Sequence, residues 1–297
     1  MKIRIGTLGV ALVVLTMAIR ASAQSAAPAL LVDVDWLSQH LNDRGLVVLH
    51  VEDKPEFEAG HVPGARFITM NDVAKAPGGS SDLTLELPPA EELRAKLSSV
   101  YGISDDSRIV VVTGSAAALQ SATRIILTLD YLGLGDRTSL LNGGMTAWKR
   151  AGKPVTSTVA AVTPGKLSAR PTKPLIVDAE FVKSVGQRAN HRLVDARAAV
   201  FYTGIEATRG KSGHIPGALN IPFTEISNSE RLIDRDRVEK LFRNAGIKPG
   251  ETVVAYCHIG QQATAVIFGA RLIGHPVLLY DGSFQDWAVN NRGPVEK

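Results

Sequence analysis

The sequence predicts an α/β protein built from two tandem copies of one unit, each a mainly parallel sheet with helices on both faces. Strand-length apolar segments alternate with longer helical segments along the chain. Two short motifs each occur twice, in the same order. Aromatic residues make up only 5% of the 297 residues, so the core must be mostly aliphatic, as in buried parallel strands.

The repeated motifs define the duplication. Residues 60–65 read GHVPGA, and residues 213–218 read GHIPGA. Downstream of each, a glycine segment leads to a tryptophan, Trp148 in the first copy and Trp287 in the second, and both tryptophans are expected to pack a helix on the sheet. The histidines of the two motifs are interpreted as turn residues that bond to backbone.

The copies are bounded by composition. A first domain is predicted at 28–155 and a second at 174–297. Between them, residues 156–173 are rich in Pro, Gly, Thr and Ser without an apolar period, which is typical of a linker.

Within each copy, strands and helices are predicted to alternate, so that functional loops lie at the carboxyl ends of the strands. The first copy has predicted strands at 46–51, 108–113 and 139–141, and predicted helices at 89–101 and 121–132. The second has predicted strands at 192–195, 252–256 and 277–280, and predicted helices at 236–245 and 263–272.

The first 23 residues have the pattern of an export signal. Lys2 and Arg4 precede an apolar run at 8–19, and residues 21–23 (ASA) form a small-x-small cleavage site. We therefore expect export, to the periplasm, with no membrane association after cleavage; an uncleaved anchor is the alternative. Signal removal takes away three basic residues of a chain whose net charge is +4, and no Lys/Arg cluster supports nucleic-acid binding.

Cys257 is the single cysteine, so an exported chain would have no intramolecular disulfide to form. It falls between the predicted strand 252–256 and the predicted helix 263–272. A compact loop there can turn backbone N–H groups inward, and the helix N-terminus adds positive charge, so both stabilise a thiolate over a thiol. The alternative is an inert core cysteine, against which the polar neighbours His258, Gln261 and Gln262 argue.

Cysteine-dependent phosphatases need an arginine six residues after the cysteine to grip the phosphate. Ala263 occupies that position, and residues 257–263 (CHIGQQA) contain no arginine. Phosphatase activity is therefore not expected.

The loop CHIGQQA, both Gly-His-Val/Ile-Pro-Gly-Ala motifs and both Gly…Trp segments resemble the rhodanese family across nearly the whole mature chain. Tandem rhodaneses similar to this chain are thiosulfate or 3-mercaptopyruvate sulfurtransferases, with the catalytic cysteine in the second copy. The first copy agrees with that pattern, because its strand 108–113 leads into Gly114, Ser115 and Ala116 with no cysteine, and His50 takes the place of Asp195.

The resemblance implies that Cys257 attacks the outer sulfur of thiosulfate, releases sulfite and carries the sulfur as a persulfide. The backbone of His258, Ile259, Gly260, Gln261 and Gln262 would hold that sulfur. Cyanide or another thiol, including a thiol of a partner protein, would then accept it. No metal or organic cofactor is needed.

Donor recognition is predicted from fewer residues. Arg209 matches an anion-binding arginine of similar family members, whereas Phe201 takes the place of a second one. Asp195 and Arg197 end a strand near the site and either position the loop or form an ordinary salt bridge. His258 is expected to be partly charged near neutrality, so that thiosulfate binding weakens with rising pH.

The loop matches neither donor subgroup, since His258 and Ile259 stand where one has basic residues and the other Gly and Ser. Thiosulfate is the first expectation. Polysulfide, a persulfide or 3-mercaptopyruvate as donor, and a non-enzymatic persulfide carrier, are the alternatives.

Overall fold

The computed structural model describes residues 29–75, 83–114, 118–230 and 232–297. The predicted export signal lies outside these residues. No described helix has the length and apolar character needed to span a membrane.

The N-terminal unit has a five-stranded parallel sheet among its described residues. Its strands, β1 to β5, are Leu31–Val32, Leu46–Val51, Arg66–Ile68, Arg108–Thr113 and Thr138–Leu141. Its helices, α1 to α5, are Val34–His40, Lys54–Ala59, Ala90–Ser99, Leu119–Tyr131 and Gly144–Arg150. The strand order is β1-β5-β4-β2-β3, with the long strands β2 and β4 in the interior, where both faces are covered.

The C-terminal unit repeats this arrangement. Its strands, β6 to β12, are Ile176–Val177, His191–Asp195, Ala207–Thr208, Lys211–Ser212, Leu219–Asn220, Thr252–Tyr256 and Val277–Tyr280. Its helices, α6 to α10, are Ala179–Ser184, Ala199–Tyr202, Arg235–Asn244, Ala263–Leu272 and Ser283–Val289. The parallel sheet has the order β10-β7-β11-β12-β6, and β8 and β9 form a separate antiparallel hairpin.

The two sheets have the same topology, because β7, β10, β11 and β12 take the places of β2, β3, β4 and β5. The α/β duplication predicted from the sequence is therefore confirmed. The hairpin β8–β9 is an insertion in the second copy, between its strand β7 and its Gly-His motif.

The repeated histidines have the structural role that the sequence suggested. His61 Nδ1 lies 2.8 Å from the Phe57 carbonyl, and His214 Nδ1 lies 2.8 Å from the Tyr202 carbonyl. Each imidazole stacks on the ring of the residue that it contacts, at 3.8 Å between centroids. Both histidines therefore fasten a turn.

Trp148 and Trp287 are core residues, each almost completely buried. Each indole N–H donates to a proline carbonyl just beyond its helix, that of Pro154 at 2.8 Å and that of Pro294 at 2.9 Å. They pack the last helix of each unit, α5 and α10, into the cluster on the outer face of its sheet.

The two units share one apolar core. Helices α4 and α9 pack against each other, and a single cluster of buried residues runs from one sheet through both helices to the other. Residues 156–173 lie along the N-terminal unit, where the Gly165 N–H donates to the Ser98 carbonyl and the Asp105 N–H donates to the Lys166 carbonyl. The C-terminal unit is therefore joined to the N-terminal unit by a packed interface as well as by a chain segment.

Candidate active site

Cys257 lies directly after β11, an interior strand between β7 and β12. The side chain is fully buried and forms no disulfide. Residues 258–262 form the loop from this strand to α9, whose N-terminus points back at the loop. Among the described residues, no carbonyl accepts a hydrogen bond from the backbone N–H groups of 258–262, so these donors remain for a bound anion.

Gly260 sets the curvature of this loop. Its φ is +81°, and a Cβ there would lie 2.7 Å from the Asp281 carbonyl oxygen. A side chain at this position would strain the backbone and push the loop away from β12. The close approach of loop and neighbouring strand therefore depends on glycine.

Helix α10 holds the start of the loop from the other side. Ser283 Oγ accepts a hydrogen bond from the Cys257 N–H at 3.2 Å. The N–H groups of Phe284 and Gln285 donate to the carbonyls of Cys257 and His258 at 2.9 and 3.0 Å. These bonds fix both peptide groups that flank the sulfur-bearing residue.

Asp195 and Arg197 form a completely buried ion pair at the end of β7. The Arg197 Nε donates to both carboxylate oxygens, at 2.9 and 3.0 Å, and its Nη2 also reaches the Gly213 carbonyl at 2.8 Å. The guanidinium lies 3.9 Å from the centre of the Phe284 ring. The pair therefore connects β7, the Gly-His turn and α10 beneath the Cys257 loop.

This ion pair reaches the loop through one hydroxyl. Arg197 Nη1 donates to Thr208 Oγ1 at 3.3 Å, and that oxygen lies 2.9 Å from His258 Nδ1. Of the two roles that the sequence left open for Asp195 and Arg197, the contacts favour positioning of the loop.

His258 does not carry the charge that the sequence suggested. Burial, and then the charge of Arg197, lower its pKa to about 4, while Asp195 acts in the opposite direction. The ring also meets the edge of Phe201 at 4.5 Å between centroids. The expectation of a partly protonated His258 near neutrality is therefore wrong, because the ring is mostly enclosed by apolar and cationic neighbours.

Arg209 lies at the tip of the β8–β9 hairpin, exposed, with a φ of +50°. Its neighbour Thr208 touches His258, so the hairpin stands beside the loop. No carboxylate pairs with Arg209 among the described residues. Its predicted role in binding the donor remains a prediction.

The N-terminal unit supplies part of the site, which sequence reasoning missed. Arg124 of α4 is fully buried, donates to the Gly260 carbonyl at 2.9 Å and pairs with Asp281 at 2.5 Å. Gln261 Nε2 donates to Ser121 Oγ at 2.9 Å. One sequence signal was present, since Arg124 is the single basic residue of the largely apolar helix α4.

Ser283 was also missed, although the duplication carried a signal for it. The equivalent position in the first copy is Gly144, with a φ of +51°, and Ser283 has a φ of +52°. A serine kept in a backbone conformation that favours glycine indicates that its hydroxyl has a use.

A possible cation-binding group lies elsewhere. Glu52, Asp53 and Glu56, at the start of α2, each place a carboxylate oxygen within 4.8 Å of the others. They belong to the N-terminal unit and are not among the residues that contact the Cys257 loop.

A duplicated parallel sheet with a buried thiol in a tight strand-to-helix loop suits a protein that transfers groups through a cysteine. The Rhodanese-like domain family matches residues 33–151 and 178–290, and the chain belongs to this family. It is a tandem-domain member, as the sequence resemblance indicated.

Several relatives match along nearly their whole length. A probable 3-mercaptopyruvate sulfurtransferase of Pseudomonas aeruginosa is 31% identical over 90% of this chain and 98% of its own. A thiosulfate sulfurtransferase of Gallus gallus is 30% identical over 89% and 95%. The crystal structure of the 3-mercaptopyruvate sulfotransferase SseA from Escherichia coli matches with a TM-score of 0.75 and 25% identity, over 86% of this chain and 99% of that one. The chain is a sulfurtransferase.

Proposed function

We propose that the chain transfers sulfane sulfur through a persulfide on Cys257, and that 3-mercaptopyruvate is its preferred donor. The observation that carries the persulfide is the loop itself. A buried thiol, unpaired loop N–H groups and the N-terminus of α9 together stabilise an anionic sulfur where water is excluded.

In the first step, the Cys257 thiolate attacks the sulfur of the donor. The new S–S bond forms as the C–S bond breaks, and the bonding electron pair leaves with the carbon as the enolate of pyruvate, which then takes up a proton. In the second step, cyanide or a thiol attacks the outer sulfur, and the Cys257 thiolate is regenerated.

The charge around the loop supports a monoanionic donor. His258 is neutral, Arg197 is neutralised by Asp195, and Phe201 presents an apolar edge. Arg209 is adjacent in sequence to Thr208, which contacts the loop. Arg209 has no carboxylate partner among the described residues, so its charge is available to the donor. One guanidinium suits the single carboxylate of 3-mercaptopyruvate better than the two charges of thiosulfate.

Thiosulfate is the second candidate. The Gallus gallus relative is named as a thiosulfate sulfurtransferase. Thiosulfate is smaller than 3-mercaptopyruvate, which suits access to a fully buried thiol. The backbone N–H groups of 258–262 would then carry most of the recognition of the anion.

Steady-state kinetics with cyanide as acceptor separates these donors. We expect kcat/KM for 3-mercaptopyruvate to exceed that for thiosulfate by at least about tenfold, which is about 1.4 kcal/mol of transition-state stabilisation. The opposite order would make thiosulfate the donor. Cys257→Ser should lose both activities and the mass gain of one sulfur atom.

Arg209→Gln tests the anion contact. We expect the KM for the donor to rise about tenfold with little change in kcat, whereas Arg243→Gln, on the exposed face of α8, should change neither. An unchanged KM in Arg209→Gln would remove this residue from the site.

We also propose that residues 1–23 direct export to the periplasm and that a protein thiol can serve as acceptor. The N-terminal pattern of Lys2, Arg4, an apolar run and a small-x-small site supports the first. Cell fractionation with N-terminal sequencing tests it, and discharge of the Cys257 persulfide by a reduced thiol protein tests the second.

A further inference from the structure

The first copy has a cavity beside the start of the loop that corresponds to the Cys257 loop of the second copy. Leu49 pairs with Arg66, and Val194 pairs with Leu219, at the same distance from the two Gly-His motifs. His50 therefore takes the position of Asp195. By the same register, Glu52 takes the position of Arg197, and the pair that positions the catalytic loop is replaced by a histidine and a carboxylate.

His50 has lost the partner that its counterpart has. Its side chain is 1% exposed, and neither ring nitrogen has a hydrogen-bond partner among the described residues. Burial, and then the charges of His61 and Lys149, lower its pKa to about 4. The ring is neutral at physiological pH and offers one N–H donor and one nitrogen acceptor. A buried imidazole without partners is destabilising, and such groups are typical of ligand sites.

His50 lines a cavity of about 300 Å³. Glu52, Glu56 and Lys149 line it with two carboxylates and one ammonium group, and Met145 adds an apolar surface. Glu56 and Lys149 are exposed at its rim. Lys149 forms no ion pair with the described residues. The cavity therefore presents opposite charges on one small surface.

The glycine at the start of the first copy's loop makes room for one of these carboxylates. A Cβ on Gly114 would overlap the Glu52 side chain. Gly114 corresponds to His258, so the Glu52 carboxylate occupies space that the His258 side chain takes in the second copy. In the first copy, the Glu52 carboxylate therefore takes the place that the His258 imidazole has in the second copy.

We infer that this cavity binds a small zwitterion that carries one ammonium and one carboxylate group, as an α-amino acid does. The ligand carboxylate is placed to accept from Lys149 and from a ring N–H of His50. The ligand ammonium is placed to donate to Glu52 and Glu56, and a small apolar side chain fits against Met145. The volume suits a ligand of this size.

A metal ion fits the residues less well. The carboxylates of Glu52, Asp53 and Glu56 converge within 4.8 Å, but the His50 nitrogens are not part of that group. The ammonium of Lys149 on the same wall opposes a divalent cation. A simple anion would bring a further negative charge beside the two carboxylates that line the cavity.

Isothermal titration calorimetry on the full chain tests the inference with three matched probes that contain no sulfur. L-Alanine has both charges, propionate has only the carboxylate, and ethylamine has only the ammonium. We expect one molecule of L-alanine to bind per chain and each single-charge analogue to bind at least about tenfold more weakly. This measurement involves no turnover, so it stands or fails independently of the proposed sulfur transfer.

Four variants locate the binding. Lys149→Gln, Glu56→Gln and His50→Leu should each weaken L-alanine binding at least about tenfold, and circular dichroism would show that they are folded. Glu58→Gln is the matched control, since Glu58 lies on the same helix and pairs with Lys54 outside the cavity.

Three results would overturn the inference. Equal binding of propionate and L-alanine would make the cavity a simple anion site. Binding of Mn²⁺ or Zn²⁺ that Glu56→Gln abolishes, without L-alanine binding, would make it a metal site. No heat from any probe at millimolar concentration would leave His50 as a structural residue.

Discussion

Ser283 Oγ accepts a hydrogen bond from the backbone N–H of Cys257 while Ser283 itself keeps a φ of +52°. Its hydroxyl also donates to the Tyr280 carbonyl at 2.9 Å. The hydroxyl thus links the end of β12 to the peptide group of Cys257. The first copy, which has no cysteine in its sequence, has Gly144 at this position.

Replacing Ser283 separates the effect of its side-chain hydrogen bond from the effect of its strained backbone conformation. Ser283→Gly removes the hydrogen bond but relieves backbone strain of about 1 kcal/mol, so the melting temperature should stay close to that of the wild type. Ser283→Ala removes the bond and keeps the strain, so it should be less stable. In both variants we expect kcat/KM to fall about tenfold. Asn190→Gly, a remote replacement at positive φ, is the control, and an unchanged kcat/KM in both Ser283 variants would contradict the role.

The buried Asp195–Arg197 pair should be costly to break from one side. Arg197→Met leaves the Asp195 carboxylate buried without its partner, and we expect the free energy of unfolding to fall by about 3–5 kcal/mol. Adding Asp195→Asn should recover part of this loss, because the uncompensated charge is removed. Urea unfolding measures both. A loss below about 1 kcal/mol in Arg197→Met would mean that solvent screens the pair.

Arg124 should act on turnover from the other unit. Arg124→Met removes the donor to Gly260 and the partner of Asp281, so we expect kcat to fall at least about tenfold while the donor KM changes less. Arg124→Lys keeps one cation and should restore part of kcat. A purely structural role would lower stability in both variants without the recovery of kcat in the lysine variant.

The pKa of His258 predicts a flat response to pH in the neutral range. Because burial lowers this pKa to about 4, the ring gains its proton only well below the range where enzymes of this kind are assayed. The donor KM profiles of the wild type and His258→Gln should therefore have the same shape between about pH 5.5 and 8. A bend near pH 6.5 in the wild type that His258→Gln removes would show that the ring titrates normally.

His50 should make stability depend on acidity. Its folded-state pKa of about 4 lies below its ordinary value of 6.5, so the unfolded chain binds the proton more tightly. The contribution of neutral, buried His50 to the free energy of unfolding is fully present above about pH 6.5. It is lost as the pH falls towards 4, by up to about 1.4 kcal/mol per pH unit. Denaturant unfolding of His50→Leu should show a smaller decrease over this range, whereas His191→Gln should follow the wild type. Parallel curves for His50→Leu and wild type would contradict the shift.

Three interior strands could be predicted to the residue. Leu46–Val51, Arg108–Thr113 and Thr252–Tyr256 are mostly apolar segments, because both faces of each are covered. The short edge strands, such as Leu31–Val32 and Ile176–Val177, could not, since a two-residue strand is defined by its neighbour's hydrogen bonds rather than by its own pattern.

The site was predictable in its chemistry and less so in its surroundings. Cys257 and its loop follow from a lone thiol between a strand and a helix. The protonation of His258 depends on burial by Phe201 and on the charge of Arg197, which neither residue type nor spacing reveals. Arg124 reaches Gly260 from 136 positions away, so only the folded structure places it there.

The contact between Arg124 and Gly260 has a consequence for how such a gene can change. The first copy contains no cysteine, but we expect that it cannot be deleted, since its helix α4 covers the shared core and contacts the loop of the second copy. A truncated gene that encoded the active half alone would yield a chain with an exposed apolar face and an unsupported loop. The duplication should therefore be hard to reverse, because the core and the Cys257 loop of the second copy both depend on contacts with the first copy.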